Sequence, residues 1–432
     1  MPDATDTNRA PAQPLPIGTV DRVMLDLAAR SAAESNLHVG GLLLVPGPPP
    51  RVEHLASVIA ERLAHAPVLR HRLSPDETRW EPDPEFDPAF HVVQQRTEAG
   101  SGAHSALLQA SDPPFDRRRP LWRLVLMHGY DPPSAEPGYA LAYIAHHAFQ
   151  DGMAVVHTLE ALFGDRSLAP PDPGETAAEL RPWRWPAPRD LGLPLRPTAS
   201  WTPARGDLTG RRELLPFQLD SQALRDGARA AKVTGATRNH MCLASLTHAL
   251  RQWTPQDWTS AVSGNRQGLH VSVPLNLRPP DGGSCLGNRL GGLRVALPCH
   301  RPSPAQWLPQ VVGQTSLKRV MRHRAMHQVL QSRIPYRVMR AMYLRYIDAR
   351  YVGMLVSTVR MRPLSVAGTP VRAVIGLPPL LPGQPMIILL VQYRNTVHGT
   401  LLFDGAVEGT ARLVELWRRA VDGLRRTAAS AP

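Results

Sequence analysis

Tyr143-Ile144-Ala145-His146-His147-Ala148-Phe149-Gln150-Asp151-Gly152 decides how the rest of the chain is read. The apolar run Ala140–Ala145 before the two histidines predicts a short buried strand. Met153–Phe163, after Asp151 and Gly152, has the apolar spacing of a helix. The pattern HHxxxDG therefore sits at a strand-to-helix junction. A neutral imidazole, with an ordinary pKa of about 6.5, accepts a proton from an alcohol near neutral pH. His147 is the candidate general base, with His146 beside it. Asp151 is placed to order either the ring or the surrounding backbone. Gly152 removes a side chain where a substrate or another loop must approach.

Other chemistries fit less well. A histidine and an aspartate four apart share a helical face and permit metal ligation, but the chain has no third-ligand motif and no HExxH, so no metal site is assigned. It also lacks a GxSxG elbow. The glycine-rich stretch Gly282–Gly292 fits neither a Walker A loop nor GxGxxG. Cys285 within it has no histidine placed beside it by sequence.

Outward from this stretch, 432 residues suit two domains, and 43% hydrophobic residues suffice for a sizeable core. No apolar run is long enough for a transmembrane helix. The N-terminus lacks the basic and apolar regions of a secretory signal. Cys242, Cys285 and Cys299 have no CxxC spacing and read as reduced thiols, which predicts a cytoplasmic protein. The net charge is +13, almost all of it arginine, since Lys232 and Lys318 are the only lysines. That favours anionic partners, but no nucleic-acid motif is present.

Residues 1–16 are polar, Pro-rich and expected to be disordered. Residues 17–164 alternate helix and strand patterns and form the first expected domain. From 165 to 210 prolines are dense and periodicity vanishes, which predicts a linker. Residues 211–432 form the second expected domain. There, Pro216 marks an edge strand, Ser221 an N-cap, and Pro309–Gln331 a long helix. Strands and helices mix in both halves, so the fold class is α/β, or α+β.

Several further stretches join HHxxxDG in a resemblance to the bacterial wax ester synthase/diacylglycerol acyltransferase family. They are Asn36-Leu37-His38-Val39-Gly40-Gly41, Asp83–Asp87 followed by His91, Phe115–Trp122 with its Pro-Leu-Trp, and Pro274-Leu275-Asn276-Leu277-Arg278 followed by Leu286-Gly287-Asn288-Arg289. Their order matches too, and together they cover roughly residues 17–425. The wider superfamily includes chloramphenicol acetyltransferases and nonribosomal peptide condensation domains. The resemblance implies two chloramphenicol-acetyltransferase-like domains, each a mixed sheet with flanking helices, with a channel between them. It implies an acyl-CoA-dependent O-acyltransferase making a neutral lipid ester by direct attack of an alcohol on the acyl thioester. Acyl-CoA would be a co-substrate, and no cofactor is implied. His147 would be the base, Asp151 would hold the geometry, and His146 would be supportive. Gly152, Pro120 and Trp122 would shape the channel, and Asn276 and Asn288 would position substrate or satisfy backbone.

Two stretches depart from the family pattern. Asn239-His240 stands where the family has Asn-Asp, and Ser357-Thr358-Val359-Arg360-Met361-Arg362-Pro363 where it has a Ser-Asn-Val-Pro-Gly-Pro-like run. These keep open an alternative: acylation of a secondary metabolite or glycolipid, from acyl-CoA or an acyl carrier protein. A non-catalytic lipid-binding relative is a third reading. Finally, Ile334–Ile347 is basic, aromatic and apolar, with Arg333, Arg337 and Arg340 expected on one helical face. Such a segment suits peripheral contact with the inner membrane face or a lipid droplet, or with the phosphates of coenzyme A.

Overall fold

The computed structural model describes residues 14–97, 101–130, 138–165, 197–259, 268–278 and 286–429. In the first half the apolar patterns become helix α1 (Thr19–Arg30), strand β1 (His38–Pro46), α2 (Val52–Arg62), β2 (Val92–Arg96), α3 (Ala103–Ser111), β3 (Trp122–His128), β4 (Gly138–His146) and α4 (Gly152–Phe163). β4 is buried along almost its whole length. It lies antiparallel between β1 and β3, so the run 121–127 pairs with the strand before His146 as expected. β2 extends the sheet parallel to β3.

The second half supplies β5 (Arg212–Asp220), α5 (Ser221–Ala230), α6 (Arg238–Trp253), β6 (Leu269–Asn276), β7 (Leu290–Leu297), α7 (Trp307–Gln314), α8 (Leu317–Arg333), α9 (Tyr336–Ile347), β8 (Met354–Met361), β9 (Ala373–Leu377), β10 (Met386–Tyr393), β11 (Thr396–Asp404) and α10 (Thr410–Ala429). Six of these strands form one sheet in the order β7-β6-β8-β10-β11-β5. β8 runs parallel to both its neighbours, and the other pairs are antiparallel. β5 is the edge that Pro216 requires, because a proline cannot donate to a central ladder. β9 stands apart: it pairs antiparallel with β1 and so completes the first sheet.

The two sheets share a core because strand side chains alternate between faces. In β8 and β10, Val359, Met361, Ile387 and Val391 pack with Leu43, Tyr143 and Val156 of the first half. Val356, Ile388 and Leu390 face the other way, into a second core under α5, α6 and α10.

Four local expectations change. Leu15 and Pro16 are paired with Trp80 and Arg79, so order begins before residue 17. Asp220, not Ser221, caps α5: its carboxylate takes the Gln222 and Ala223 N–H groups at 2.8 and 3.0 Å. Pro309–Gln331 is two helices rather than one. After Gly313 the Thr315 hydroxyl and N–H both turn back to the Val311 carbonyl, and Ser316 is extended. The interruption at Ile334-Pro335 then leaves Arg333 at the end of α8, on a different helix from Arg337 and Arg340. Arg340 is paired with Asp26 at 2.7 Å. Most of the expected linker, residues 166–196, lies outside the described residues, as do residues 1–13 and Cys285.

Candidate active site

His146 ends β4 and His147 follows it, and the two side chains point to different environments. His147 lines a cavity of about 170 Å³ between the two sheets. Its wall is mostly aliphatic, and Val39, Val156, Leu355 and Leu389 are typical of it. The polar groups facing it include Asn276, Arg289, Tyr343, Ser357 and Thr358. His147 Nδ1 is buried, which leaves Nε2 as the ring nitrogen available to the cavity. Burial is the largest influence on the imidazole and pushes its pKa below the ordinary histidine value, so the ring is neutral near pH 7. A hydrogen bond with its own backbone, the Asp151 charge, the Asn288 side chain and the Asp21 charge oppose that shift, in that order.

His146 sits on the other side, against His38, with ring centroids 6.0 Å apart. Its Nδ1 accepts the Ala148 N–H at 3.0 Å, closing the turn that swings the chain from β4 toward α4. Burial, and next the neighbouring His38, push its pKa down to about 3. It does not line the cavity.

Asp151 caps α4, accepting the Ala154 N–H at 2.9 Å. The same carboxylate receives Arg278 Nη1 on both oxygens at 2.8 and 2.7 Å, and the Arg289 N–H at 2.8 Å. Arg278 is buried and also donates to the Gly287 carbonyl. No hydrogen bond joins Asp151 to the His147 ring among the described residues; of the two sequence alternatives, it orders backbone. Gly152 begins α4 and lines the cavity, and a Cβ added there would meet nothing within 4 Å.

Leu286–Arg289 reaches across from the second half and closes on the motif. Gly287 N–H donates to the Phe149 carbonyl at 2.6 Å. Asn288 Nδ2 donates to the His147 carbonyl at 2.7 Å and to Asp21 Oδ1 at 2.9 Å. Gly287 has φ +71°, and a Cβ on it would lie 2.9 Å from Asp21 Oδ2, so only glycine fits both demands.

The expected residues thus separate. His147, Asp151, Gly152 and Asn276 line the cavity. Asn288 satisfies backbone. Pro120 and Trp122 do not line it: the Trp122 indole donates to the Leu69 carbonyl at 2.8 Å and stacks on His91, within the core shared by the two sheets. Both departures from the family pattern have structural explanations. His240 replaces a carboxylate in the capping box of α6, its Nδ1 accepting the Thr237 N–H at 3.0 Å. Arg362 ties the end of β8 to α4, its N–H reaching Glu160 at 2.8 Å. Sequence reasoning did not single out Asp21, or Arg278 as the partner of Asp151. Each is separated from its partner by more than a hundred residues.

Comparison with known proteins follows these features. The wax ester synthase/diacylglycerol acyltransferase catalytic domain matches residues 17–181, and the C-terminal domain of the same family matches residues 286–425. A Mycobacterium tuberculosis protein provisionally named a diacylglycerol O-acyltransferase is 32% identical over 176 residues, 39% of this chain and 35% of that protein's length. The wax ester synthase/diacylglycerol acyltransferase of Marinobacter aquaeolei VT8 superposes with a TM-score of 0.63 at 17% identity, covering 96% of this chain and 100% of that one. The first condensation domain of the CDA synthetase superposes with a TM-score of 0.63 at 18% identity, covering 97% of each chain. These two likenesses establish the two-lobed, condensation-domain-like fold of mixed sheets with flanking helices. With both of its family domains matched in order, the chain belongs to the wax ester synthase/diacylglycerol acyltransferase family.

Proposed function

We propose that the protein is an acyl-CoA-dependent O-acyltransferase that joins a long acyl chain to a lipid alcohol, forming a wax ester or a triacylglycerol. The observation that carries this reading is the neutral His147 imidazole facing an aliphatic cavity between the lobes. The alcohol hydroxyl donates to His147 Nε2. As its oxygen attacks the thioester carbonyl, the proton passes to the imidazole and the carbonyl electrons move onto oxygen. The tetrahedral adduct collapses, the C–S bond breaks, and the imidazolium returns the proton to the coenzyme A thiolate. An ester and a free thiol leave, and no acyl-enzyme forms. The aliphatic wall excludes water, which limits hydrolysis of the thioester and strengthens the hydrogen bond to the base.

Among the described residues no helix is long and apolar enough to cross a membrane. We assign the donor and the lipid surface to the same basic region. No acidic residue lies between Asp281 and Asp348, while α8 and α9 expose Lys318, Arg319, Arg322, Arg333 and Arg337 beside the exposed Leu317 and Val338. These cations suit coenzyme A phosphates or an anionic surface at the inner membrane face or a lipid droplet. The alternative, acylation of a secondary metabolite or glycolipid from a carrier protein, loses much of its motivation, since His240 and Arg362 hold scaffold.

The test is an acceptor panel of fatty alcohols and diacylglycerols with a long-chain acyl-CoA, the products identified by mass spectrometry. An ester whose yield depends on the acceptor supports the reading. Thiol release at the same rate with every acceptor and with none contradicts it. Activity from a carrier-bound acyl group but not from acyl-CoA selects the alternative.

A further inference from the structure

Asp21, on α1, is 3% exposed and has no ion-pair partner among the described residues. A carboxylate buried without a cation is costly unless its lone pairs are filled. Here they are. Oδ2 accepts the Gly18 N–H at 2.9 Å and the Trp80 indole at 3.4 Å. Oδ1 is given entirely to Asn288, accepting its backbone N–H at 2.7 Å and its Nδ2 at 2.9 Å.

That second set has a consequence for the proposed base. A carboxylate only accepts, so the edge of the Asn288 amide turned toward it is the NH₂ group. One N–H goes to Asp21 and the other to the His147 carbonyl at 2.7 Å. The His147 N–H is meanwhile held by the Leu37 carbonyl at 2.8 Å. Both peptide groups that aim the His147 Cα–Cβ bond are therefore fixed, one by Leu37, the residue before β1, and one by Asp21 through Asn288. Asn288 also acts on the ring itself, its side chain raising the proton affinity of the imidazole against burial.

We propose that Asp21 is a positioning residue for His147, acting through Asn288, so that docking of Leu286–Arg289 from the second lobe sets the geometry of the base. This rests on the reading of His147 as the base. The Asp21 charge also raises the proton affinity of the imidazole against the effect of burial.

The test is steady-state kinetics of Asp21→Asn, Asn288→Ala and the double variant, with kcat expressed per folded molecule from near-UV circular dichroism. Loss of aim predicts a fall in kcat approaching ~100-fold for each single variant, with KM for the acyl donor held within about twofold. Two links of one relay predict a double variant no slower than the slower single one. Removing the carboxylate charge lowers the imidazole pKa, so the acid limb of kcat/KM moves to lower pH in Asp21→Asn, and loss of the Asn288 side chain moves it the same way in Asn288→Ala. If Asp21→Asn does not fold, Asn288→Ala alone decides through kcat. Unchanged kcat per folded molecule, with only thermal stability reduced, overturns the proposal. His147→Ala run in parallel separates the two ideas: if it retains turnover, the reading of the base itself is wrong.

Discussion

At the scale of single residues, the site depends on three buried groups. His147 is kept neutral by burial, Asp151 is bound to Arg278, and His146 is kept neutral on the far side of the same turn. Removing one partner of a fully buried pair strands the other charge. Asp151→Ala is therefore expected to lower stability by about 3–5 kcal/mol, measured by urea denaturation. His146 gives a sign for pH. Its folded pKa of about 3 lies below the ordinary 6.5, so between these values the unfolded chain binds more protons. The stabilisation it provides is complete above pH 6.5 and is lost as pH falls toward 3. His146→Asn retains an acceptor for the Ala148 N–H and removes the titration. The expected outcome is a smaller drop in Tm than in the wild type between about pH 7 and about pH 5. His147 was legible in the sequence because two histidines, an aspartate and a glycine fall in one short run. Asp21 was not, because its partner Asn288 lies 267 residues away and an aspartate within an amphipathic helix carries no local signal.

At the scale of elements, most strands and helices were legible because their apolar patterns are strong. β4 and β10 are buried along nearly their whole length and read as continuous apolar runs. The failures have specific causes. β9 has five residues, and its hydrogen-bonded neighbour β1 lies in the other half of the chain. The break between α7 and α8 is made by Thr315 and Ser316, residues that periodicity alone passes over. The Leu286–Arg289 segment carries part of the family resemblance, but nothing local in its sequence shows that it closes on the motif. Gly287→Ala is expected to cost about 1–3 kcal/mol from its left-handed backbone. It also presses a methyl group on Asp21, so the loss of kcat in this variant should exceed that of a surface Gly→Ala control such as Gly368→Ala. At the start of α6 the imidazole of His240 does the work of a capping carboxylate. His240→Ala is expected to lower stability by about 1 kcal/mol while kcat is unchanged.

At the scale of the whole molecule, the two lobes are joined where the chemistry is proposed to occur. β9 extends the first sheet, Arg362 meets Glu160, and Leu286–Arg289 docks on the motif loop. The cavity exists only because both lobes contribute walls to it. The exposed cations of α8 and α9 lie outside that cavity, so their contribution belongs to encounter with anionic partners rather than to the chemical step. KM for acyl-CoA is expected to rise with ionic strength as the Debye length shortens from about 30 Å at 0.01 M to about 8 Å at 0.15 M, while kcat stays constant. A salt-independent KM removes the phosphate-binding role from these arginines. The two-lobed arrangement was legible through length and motif order. The clasp between the lobes was not, because its strand pairing, ion pair and hydrogen bonds join residues far apart in sequence.

The central claim is that the His147 imidazole removes the acceptor proton, and turnover by His147→Ala tests it most directly. Ester formation from a long-chain acyl-CoA and its preferred alcohol is measured for wild type and variant at matched folded concentration. The account predicts a fall in kcat of about 10²–10⁴-fold with the circular dichroism spectrum retained. A folded variant that still forms ester at the wild-type rate contradicts it.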